Sequence, residues 1–545
     1  MKKPLLSLLA FLTAVGTACC QTFSSSSIPI VVIDTKGATI PDEPKITADL
    51  HIINNGPGQR NRLTDRPALT TKIGIERRGA TSQQFFPKKP YGLETRDAAG
   101  VEGVSMSVLG LPEEEDWVLN ATYNDKTLLR EVLTYDIYRR MSRYWATNTR
   151  FCEVVLNGQY EGIYILMERL KRDRNRVNIA NLRTTDNSGD ALTGGYILKI
   201  DKTEGAPARS WTSPHRSEIS GRSMMIQVEH PKIEDLTDTQ FQYIRKYITD
   251  VENAFAAPNY QDAQTGVRQF IDEESFVDYV LINEIARNVD AYRLSTFFYK
   301  DRDSRGGKLT MGPIWDFNLS YGNADYCDGF KHVGWAFDFN RVCPGDGYQV
   351  PFWWSQLMKD RQFSRKLSDK YTTLRKTVLA TDRLEAYIDS AATALREPRE
   401  RNFQRWPVIG QKVWPNYFVG RTYEEEVSFL KTWLRNRLAW MDENLPRFSQ
   451  DVLAAEPAEP TAILTAGTDP QTRGLTVAYH LAKPGKVRLT LMDILGRSLG
   501  QNSPLDQSSG RHQVQFGTSD SAGGLQLLVL EVDGVAVDRL KVLRP

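Results

Sequence analysis

The sequence has almost no net charge, few cysteines and no long apolar run beyond its N-terminus. Its 69 Lys and Arg residues balance 67 Asp and Glu residues, so no overall field attracts the chain to nucleic acid or to an anionic membrane. No later segment is apolar over enough residues to span a bilayer. A length of 545 residues predicts two to four domains with ample core. We therefore expect neither a nucleic-acid partner nor a transmembrane span in the mature chain.

The N-terminus has the pattern of a secretory signal peptide over residues 1–21. Lys2 and Lys3 form the positive start, residues 5–15 form the apolar region, and small residues follow. Cleavage by ordinary signal peptidase is one expected outcome. Lipid modification of Cys19, behind an imperfect lipoprotein box, is the other. Either outcome takes the mature chain out of the cytoplasm, which predicts a cell-surface or secreted protein.

Of the five cysteines, three lie outside the predicted signal. Cys327 and Cys343 bracket a short glycine-containing loop and can pair in an oxidising compartment. Cys152 lies in a strand-like run with apolar neighbours. That position indicates a buried free thiol rather than a nucleophile.

The stretch 281–322 carries the strongest indication of chemistry. An apolar helix tail runs into Asp290, an aromatic strand follows at 297–299, and the chain turns and returns as a second strand at 308–311. This hairpin brings Asp290 and Asp316 together although they are 26 positions apart. Two such carboxylates suit phosphoryl transfer, in which one accepts the proton of the substrate hydroxyl and the other holds a divalent cation.

Ordinary protein kinases place a metal-binding Asn five residues after the catalytic Asp, and a second motif begins with a metal-binding Asp. In this chain Ser295 follows Asp290 by five positions. Asn318 stands two positions after Asp316. The order is that of a kinase, but the flanking residues do not match an ordinary one. A simpler interpretation makes Asp290 a loop cap and Asp316 a turn or capping carboxylate.

Charged residues earlier in the chain are candidates for nucleotide binding. Lys88 and Lys89 begin a predicted strand, where either amine can reach phosphates as a point charge; a solvated surface pair is the alternative. Glu131 lies in the first turn of a predicted helix over 128–141 and can pair with the lysine, although a helix N-terminus favours glutamate in any case. Glu168 ends an apolar strand after an Asn-Gly turn, so it can face a cleft.

Taken together, these segments resemble the secreted CotH-type kinases, a family named after a bacterial spore-coat protein. The resemblance implies an α+β, atypical protein-kinase-like fold with two lobes over residues 29–446. Six segments carry it, in family order: 77–79 with 86–89, 124–130, 157–168, 194–201, 288–290 and 313–322.

The resemblance also implies an activity, which is transfer of the ATP γ-phosphate to Ser or Thr of exported proteins with Mg²⁺ or Mn²⁺ as the cation. It makes Asp290 the catalytic Asp and Asp316 a metal ligand. It makes either Lys88 or Lys89 the lysine that binds ATP, and it leaves that choice open.

Two positions depart from the family pattern close to the implied metal site. The family commonly has Asn where Ser295 stands and Asp where Asn318 stands. Ser295 and Asn318 can still bind a cation, but neutral oxygens hold it more weakly than a carboxylate. The alternatives are therefore a catalytically weak or inactive kinase-like protein that acts in surface binding or adhesion, and a metal-dependent hydrolase.

The remainder of the chain is helical and then β-rich. Residues 343–446 are rich in Trp, which indicates core packing of a helical lobe, with a glycan or peptide groove as the alternative. Residues 447–460 are predicted to be an Ala-, Glu- and Pro-rich linker. Residues 461–545 alternate apolar and polar residues in short strands, which predicts a small β-sandwich.

This tail resembles the C-terminal sorting domains of the type IX secretion system, on the strength of 491–497 and 534–542. The resemblance implies the secretion machinery as a partner and delivery to the surface of a Bacteroidetes-type cell, or release. A plain carbohydrate-binding or spacer sandwich is the alternative.

Overall fold

The chain forms two units that divide between Pro446 and Arg447. The computed structural model describes residues 23–203, 209–217, 219–454, 461–468, 475–516 and 524–544. The predicted signal peptide over 1–21, with Cys19, lies outside the described residues. Within the described ranges, no helix combines the length and hydropathy needed to cross a membrane.

Seven strands of the first unit close into a barrel. The strands up to Glu168 are β1 (Ser25–Ser26), β2 (Ile30–Asp34), β3 (Ile46–Ile53), β4 (Asn61–Arg62), β5 (Leu69–Arg77), β6 (Tyr91–Arg96), β7 (Asp116–Asn120), β8 (Thr149–Leu156) and β9 (Gln159–Glu168). Around the barrel the order is β2-β3-β5-β6-β7-β9-β8. β8 lies parallel to β2 and closes the ring, whereas the other neighbours are antiparallel. Alternate apolar side chains of these strands fill the interior.

The mixed content of helices and sheets agrees with the predicted α+β class. Closure of the first strands into a barrel was not anticipated from the sequence, because closure depends on pairing between β2 and β8, which are more than 100 residues apart. The two-lobed, kinase-like arrangement stays a prediction.

The predicted hairpin at Asn157-Gly158 is confirmed between β8 and β9. Both turn residues adopt left-handed backbone conformations, with φ of 50° at Asn157 and 78° at Gly158. Asn-Gly is favoured in such turns because both residues tolerate positive φ at little cost.

A five-stranded sheet follows the barrel, in the order β11-β12-β10-β13-β14. Its strands and the helices up to Ala286 are α1 (Thr81–Phe85), α2 (Arg130–Met141), α3 (Gly189–Leu192), β10 (Tyr196–Ile200), β11 (Ser210–Thr212), β12 (Met225–His230), α4 (Asp238–Ala256), α5 (Glu273–Ala286), β13 (Thr296–Lys300) and β14 (Leu309–Met311). α2 confirms the helix predicted over 128–141, and β13 with β14 confirms the predicted hairpin. α5 is buried on all sides from Ser275 to Ala286, so it is the central helix of this half.

Helices complete the first unit, as the sequence predicts. They are α6 (Phe339–Val342), α7 (Phe352–Lys359), α8 (Arg361–Arg375), α9 (Thr381–Ala394), α10 (Arg396–Arg405) and α11 (Tyr423–Ala454). Trp353, Trp354 and Trp433 are buried, which confirms core packing for most of the Trp-rich region. The same prediction is wrong for Trp414, which is 51% exposed because it lies in a loop at the edge of a cleft.

The cysteine predictions are confirmed. Cys327 and Cys343 form a disulfide with their Cα atoms 5.4 Å apart. Cys152 is a buried free thiol, and burial raises its pKa to about 12. A thiol with so high a pKa is a poor nucleophile at neutral pH.

The second unit contains two antiparallel sheets, ordered β15-β16-β20 and β18-β17-β21-β22, with β19 beside β17. Apolar side chains of both sheets form one cluster. These strands agree with the predicted β-pattern, and the sorting-domain sandwich stays a prediction. The strands are β15 (Ala462–Thr468), β16 (Leu475–Leu481), β17 (Gly485–Met492), β18 (Ser498–Gln501), β19 (Leu505–Gln507), β20 (Gly510–Phe516), β21 (Gly524–Val532) and β22 (Val535–Arg544).

The first part of the segment 447–460, predicted to be a linker, is helical in the structure. α11 continues through Pro446 to Ala454, so residues 447–454 are helical. Their Ala- and Leu-containing sequence supports helix continuation. Residues 455–460 lie outside the described residues.

A buried ion pair joins α11 to the central helix α5. Arg437 Nη2 lies 3.1 Å from Glu284 Oε2, and both side chains are almost completely buried. The Nε of Arg437 also donates to the Glu284 carbonyl at 2.7 Å. Loss of one partner would leave the other charge buried without compensation.

We therefore expect Arg437→Met to lower the free energy of unfolding of the first unit by about 3–5 kcal/mol. Arg435→Met is the matched control, because Arg435 lies on the same helix as Arg437 and pairs with Glu385 of α9, but is half exposed. Its cost should stay below about 1 kcal/mol. Urea unfolding monitored by Trp fluorescence measures both. Equal losses for the two variants would contradict the prediction.

Candidate active site

A cleft of about 1070 Å³ lies in the first unit. Its lining comes from segments that are far apart in the sequence, including the end of β5 with α1, the end of β10, the segment between α5 and β13, and the segment after β14. The predicted residues Asp290, Ser295, Asp316 and Asn318 all line it. The structure therefore brings together the four residues to which the sequence assigned catalysis and metal binding.

Hydrogen bonds to the backbone of Asp316 fix this residue, and its side chain enters the cleft. Its φ of 64° is left-handed, a conformation that Asp tolerates better than most residues. The Asn288 amide donates to the Asp316 carbonyl at 3.1 Å, and the Asp316 N–H donates to the Tyr135 hydroxyl at 3.3 Å. The Asp316 carboxylate is reached by solvent, but protein walls surround it. Desolvation, and then the negative charges of Asp290 and Asp201, raise its pKa.

Asp290 lies in the turn between α5 and β13, where three polar groups fix it. Its N–H donates to the Asn288 side chain at 3.2 Å. Its carboxylate accepts from Arg293 at 2.9 Å and from the Tyr326 hydroxyl at 3.4 Å. Asn288 thus contacts the backbones of both Asp290 and Asp316. Because the Asn288 side chain contacts both segments, it fixes the position of Asp290 relative to Asp316.

Asp201 is a third carboxylate of the site, and the sequence analysis gave it no role. β10 pairs antiparallel with β13 so that Ile200 lies opposite Thr296, which places Asp201 beside Ser295. The carboxylate accepts the Lys202 N–H at 2.8 Å. Desolvation raises its pKa, while the Ser295 backbone N–H opposes that shift. The sequence does show a strand that ends in Asp201, but it does not show that this strand pairs with β13.

Asn318 and Ser295, the two departures from the family pattern, occupy different environments. The Asn318 amide donates to Asn124 Oδ1 at 3.1 Å, so its own oxygen stays available to the cleft. Ser295 has a φ of 45° and lies at the start of β13 next to Asp201. Both offer neutral oxygens to the acidic cluster.

Arg78 is a further cationic residue of the cleft, besides Arg293, which pairs with Asp290. It lines both the cleft and a smaller adjoining cavity of about 120 Å³, and its guanidinium lies 5.6 Å from the centre of the Trp315 ring. Among the described residues, no carboxylate lies within ion-pair distance of it. Burial, and then repulsion from Arg169, lowers its pKa to about 10. Arg78 therefore stays charged at neutral pH and can accept an anionic ligand.

Lys88 and Lys89 are both turned to other partners. The Lys88 amine donates to the Ile163 carbonyl and, at 3.1 Å, to Asn402; it also lies 4.6 Å from the centre of the Tyr164 ring. Lys89 donates to the carbonyls of Gln83 and Phe86 at 2.5 Å each, which secures the end of α1. The solvated-surface alternative is wrong for Lys88, which is buried and lines the smaller cavity.

The two predicted glutamates lie apart. Glu131 lines the smaller cavity with Lys88 and Asp316, and its Oε1 accepts the Phe317 N–H at 2.9 Å in place of the predicted lysine. Burial, followed by the charge of Asp316, raises its pKa. Glu168 lines neither cavity. Its carboxylate accepts the backbone N–H of Asn148 at 2.8 Å and the side-chain amide of Asn148 at 3.0 Å. It thus joins the ends of β8 and β9.

The donor set fits a divalent cation of the Mg²⁺ or Mn²⁺ type. Carboxylate and amide oxygens are the ligands that such hard cations prefer, and Asp316, Asp201 and Asn318 supply them to the lining of the cleft. Mutual repulsion of the carboxylates is the kind of strain that a bound cation relieves. Arg78, beside them, fits the phosphates of a nucleotide.

A cleft with clustered carboxylates and an adjacent unpaired arginine belongs to the class of sites that transfer or bind phosphoryl groups. The family comparison agrees: a model described as "CotH kinase protein" matches residues 75–441, more than half of the chain. The chain belongs to this kinase family. Membership implies, in general terms, a kinase-like protein that uses ATP and a divalent metal.

Other comparisons add little. No curated protein matches the chain. Among solved structures, the Pseudomonas fluorescens alkylpurine DNA glycosylase AlkC, bound to DNA containing an abasic site analog, aligns with 40% of this chain and 70% of that one at 12% identity. Its TM-score of 0.12 carries no argument about the fold.

Lys88 gives a testable pH dependence. Burial lowers its pKa from 10.5 to about 7 in the folded protein. Between these values the unfolded chain holds a proton that the folded chain has lost, so stability rises with pH. From pH 7 to 9 the free energy of unfolding should rise by about 2 kcal/mol more in the wild type than in Lys88→Met.

Urea unfolding of both proteins at pH 7, 8 and 9 measures this difference. Other titrating groups cancel, since the two proteins share them. A difference between the proteins that stays constant with pH would contradict the prediction.

Proposed function

We propose that the protein is an exported atypical protein kinase that transfers the ATP γ-phosphate to Ser or Thr residues of secreted or surface proteins. The observation that carries this proposal is the convergence of Asp290, Asp316 and Asp201 in one cleft beside the unpaired Arg78. Membership of the CotH kinase family supports the same reaction class.

Each residue has a distinct role in this proposal. Asp290, oriented by Arg293, accepts or orients the proton of the acceptor hydroxyl. Asp316 and Asp201, with Asn318 as a neutral donor, hold the divalent cation, which when bound neutralises charge on the phosphates. Arg78 contacts the phosphates in the place where Lys88 or Lys89 was expected. This assignment follows from the amines of both lysines being engaged elsewhere.

One observation favours the alternative, a catalytically weak or inactive kinase-like protein that acts in surface binding. Lys88 and Glu131, which would pair in an ordinary kinase, are bonded instead to Asn402 and to the Phe317 backbone. Under this alternative the cleft binds nucleotide or another anion without turnover. Label transfer from ATP separates the two.

Substitution of the two principal carboxylates should give different defects. Asp290→Ala should lower label transfer from γ-labelled ATP by about 10²–10⁴-fold and leave nucleotide affinity unchanged, because Asp290 acts on the acceptor. Asp316→Ala should weaken metal-dependent ATP binding, because Asp201 with the neutral oxygen of Asn318 holds a cation less tightly than two carboxylates do. Radiolabel transfer and calorimetric titration with Mg²⁺ or Mn²⁺ measure the two effects.

Asp250→Ala is the control for loss of a carboxylate, since Asp250 lies on α4 and pairs with the exposed Lys246. The double variant Ser295→Asn with Asn318→Asp restores the family pattern and should tighten metal binding. A wild-type chain that binds no nucleotide with either cation, and a restored variant that stays silent, would rule out the kinase proposal.

We propose that the second unit directs the protein to the type IX secretion machinery. The alternating strands and the shared cluster of its two sheets support a sandwich of the sorting-domain type. The proposal gives the protein a surface or released location.

Deletion of residues 461–545 should leave the first unit folded, because that unit has its own core. The truncated chain should accumulate in the periplasm. Immunodetection in cell fractions, with circular dichroism of the purified truncated chain, measures both. Normal surface delivery of the truncated chain would refute the sorting role.

A further inference from the structure

Two residues outside the turn that contains Asp290 hold its carboxylate, Tyr326 directly and Asp346 through Arg293. Arg293 spans two acids: one guanidinium nitrogen lies 2.9 Å from Asp290 Oδ1 and another lies 3.2 Å from Asp346 Oδ1. The Tyr326 hydroxyl donates to the same Asp290 oxygen at 3.4 Å. Arg293 is 2% exposed. Its guanidinium also donates to the Val289 carbonyl at 3.1 and 3.0 Å, so Asp346 is the anchor that ties it to a segment outside this turn.

Both outer anchors adjoin the disulfide. Tyr326 directly precedes Cys327. Asp346 lies three residues after Cys343 and donates its N–H to the Cys343 carbonyl at 3.1 Å. The bond between Cys327 and Cys343 therefore ties together the two segments that hold Asp290.

Little regular structure holds these segments otherwise. Residues 343–350 belong to no helix or strand. Cys327 and Asp328 adopt left-handed conformations, with φ of 46° and 58°, which non-glycine residues disfavour. Arg222 contacts the backbone of Asp346, so opening of the disulfide should loosen this region rather than unfold it. Both cysteines are half-buried, within reach of a small thiol.

We propose that the Cys327–Cys343 disulfide positions Asp290, through Tyr326 and through Asp346 with Arg293, so that phosphoryl transfer is fully efficient only in the oxidised protein. This inference rests on the proposed kinase function. A dithiol passes two electrons and two protons to the S–S bond, which yields two protein thiols and the oxidised dithiol. In an exported protein the bond forms after the chain leaves the reducing cytoplasm, so the enzyme would be weak where ATP is plentiful and competent at its destination.

The test compares the full mature chain as wild type, wild type reduced with dithiothreitol, and the double variant Cys327→Ser with Cys343→Ser. Asp346→Asn is added because it removes one ionic anchor and leaves the disulfide intact. Asp338→Asn is the matched control, since Asp338 pairs only with Arg341 among the described residues.

Three measurements are made on each protein: hydrogen exchange of residues 287–295, ATP affinity, and label transfer to dephosphorylated casein. Opening of the disulfide should speed exchange at 287–295 and lower kcat about 10- to 100-fold, with the KM for ATP and the ATP affinity unchanged. Asp346→Asn should act in the same direction, and Asp338→Asn should match the wild type.

The outcomes separate this inference from the kinase proposal. If no form transfers label, the kinase proposal fails, and exchange at 287–295 still decides whether the disulfide positions this segment. Equal exchange and equal kcat with and without the disulfide would overturn the inference. Joint loss of ATP affinity and kcat would also overturn it, because the disulfide would then support the whole cleft rather than Asp290.

Discussion

The antiparallel register between β10 and β13 is the constraint on which the candidate site depends. It sets Ile200 opposite Thr296 and thereby places Asp201 beside Ser295. The same strand β13 begins six residues after Asp290, and its hairpin partner β14 leads into Asp316. A register shift of one residue would turn the side chains of β10 to the opposite face, and the acidic cluster would lose Asp201. One sheet therefore positions Asp201 beside a hairpin that lies some ninety residues later in the chain and is flanked by Asp290 and Asp316.

These carboxylates repel one another when they are brought together. The structure holds their segments in place with hydrogen bonds, but it does not remove the repulsion between the charges. Hydrogen bonds to the backbones of Asp290 and Asp316 fix the segments, while the pKa values of Asp316 and Asp201 are raised. Groups with perturbed pKa values in a cleft are typical of functional sites. Here the perturbation has a clear physical cause, since desolvation and like charge act on the same carboxylates.

The sequence predicted those parts of the site that follow from local patterns. Asp290 and Asp316 flank a hairpin, and hairpin pairing is short-range, so their proximity could be foreseen. Asp201 could not, because its neighbour Ser295 is supplied by a pairing across some ninety residues of chain. The barrel was missed for the same reason, because β2 pairs with β8 across more than 100 residues of chain. The pairing of Cys327 with Cys343 was foreseen because the loop between them is short.

Glu131 stands where the sequence places the helix-borne glutamate of kinases, but its hydrogen-bond partner is different. In ordinary kinases the helix-borne Glu pairs with the nucleotide lysine, and the sequence offered that pair as one interpretation beside a simple preference for Glu at a helix N-terminus. In this chain Glu131 accepts the Phe317 N–H, next to Asp316, while Lys88 is held by Asn402 and a barrel carbonyl. α2 is thereby linked to the acidic segment rather than to a lysine. Since burial raises the Glu131 pKa, the side chain favours the neutral form and adds less negative charge beside Asp316. A neutral carboxyl that fixes the backbone at Phe317 is compatible with the proposed cation at Asp316, and with the proposal that Arg78 contacts the phosphates.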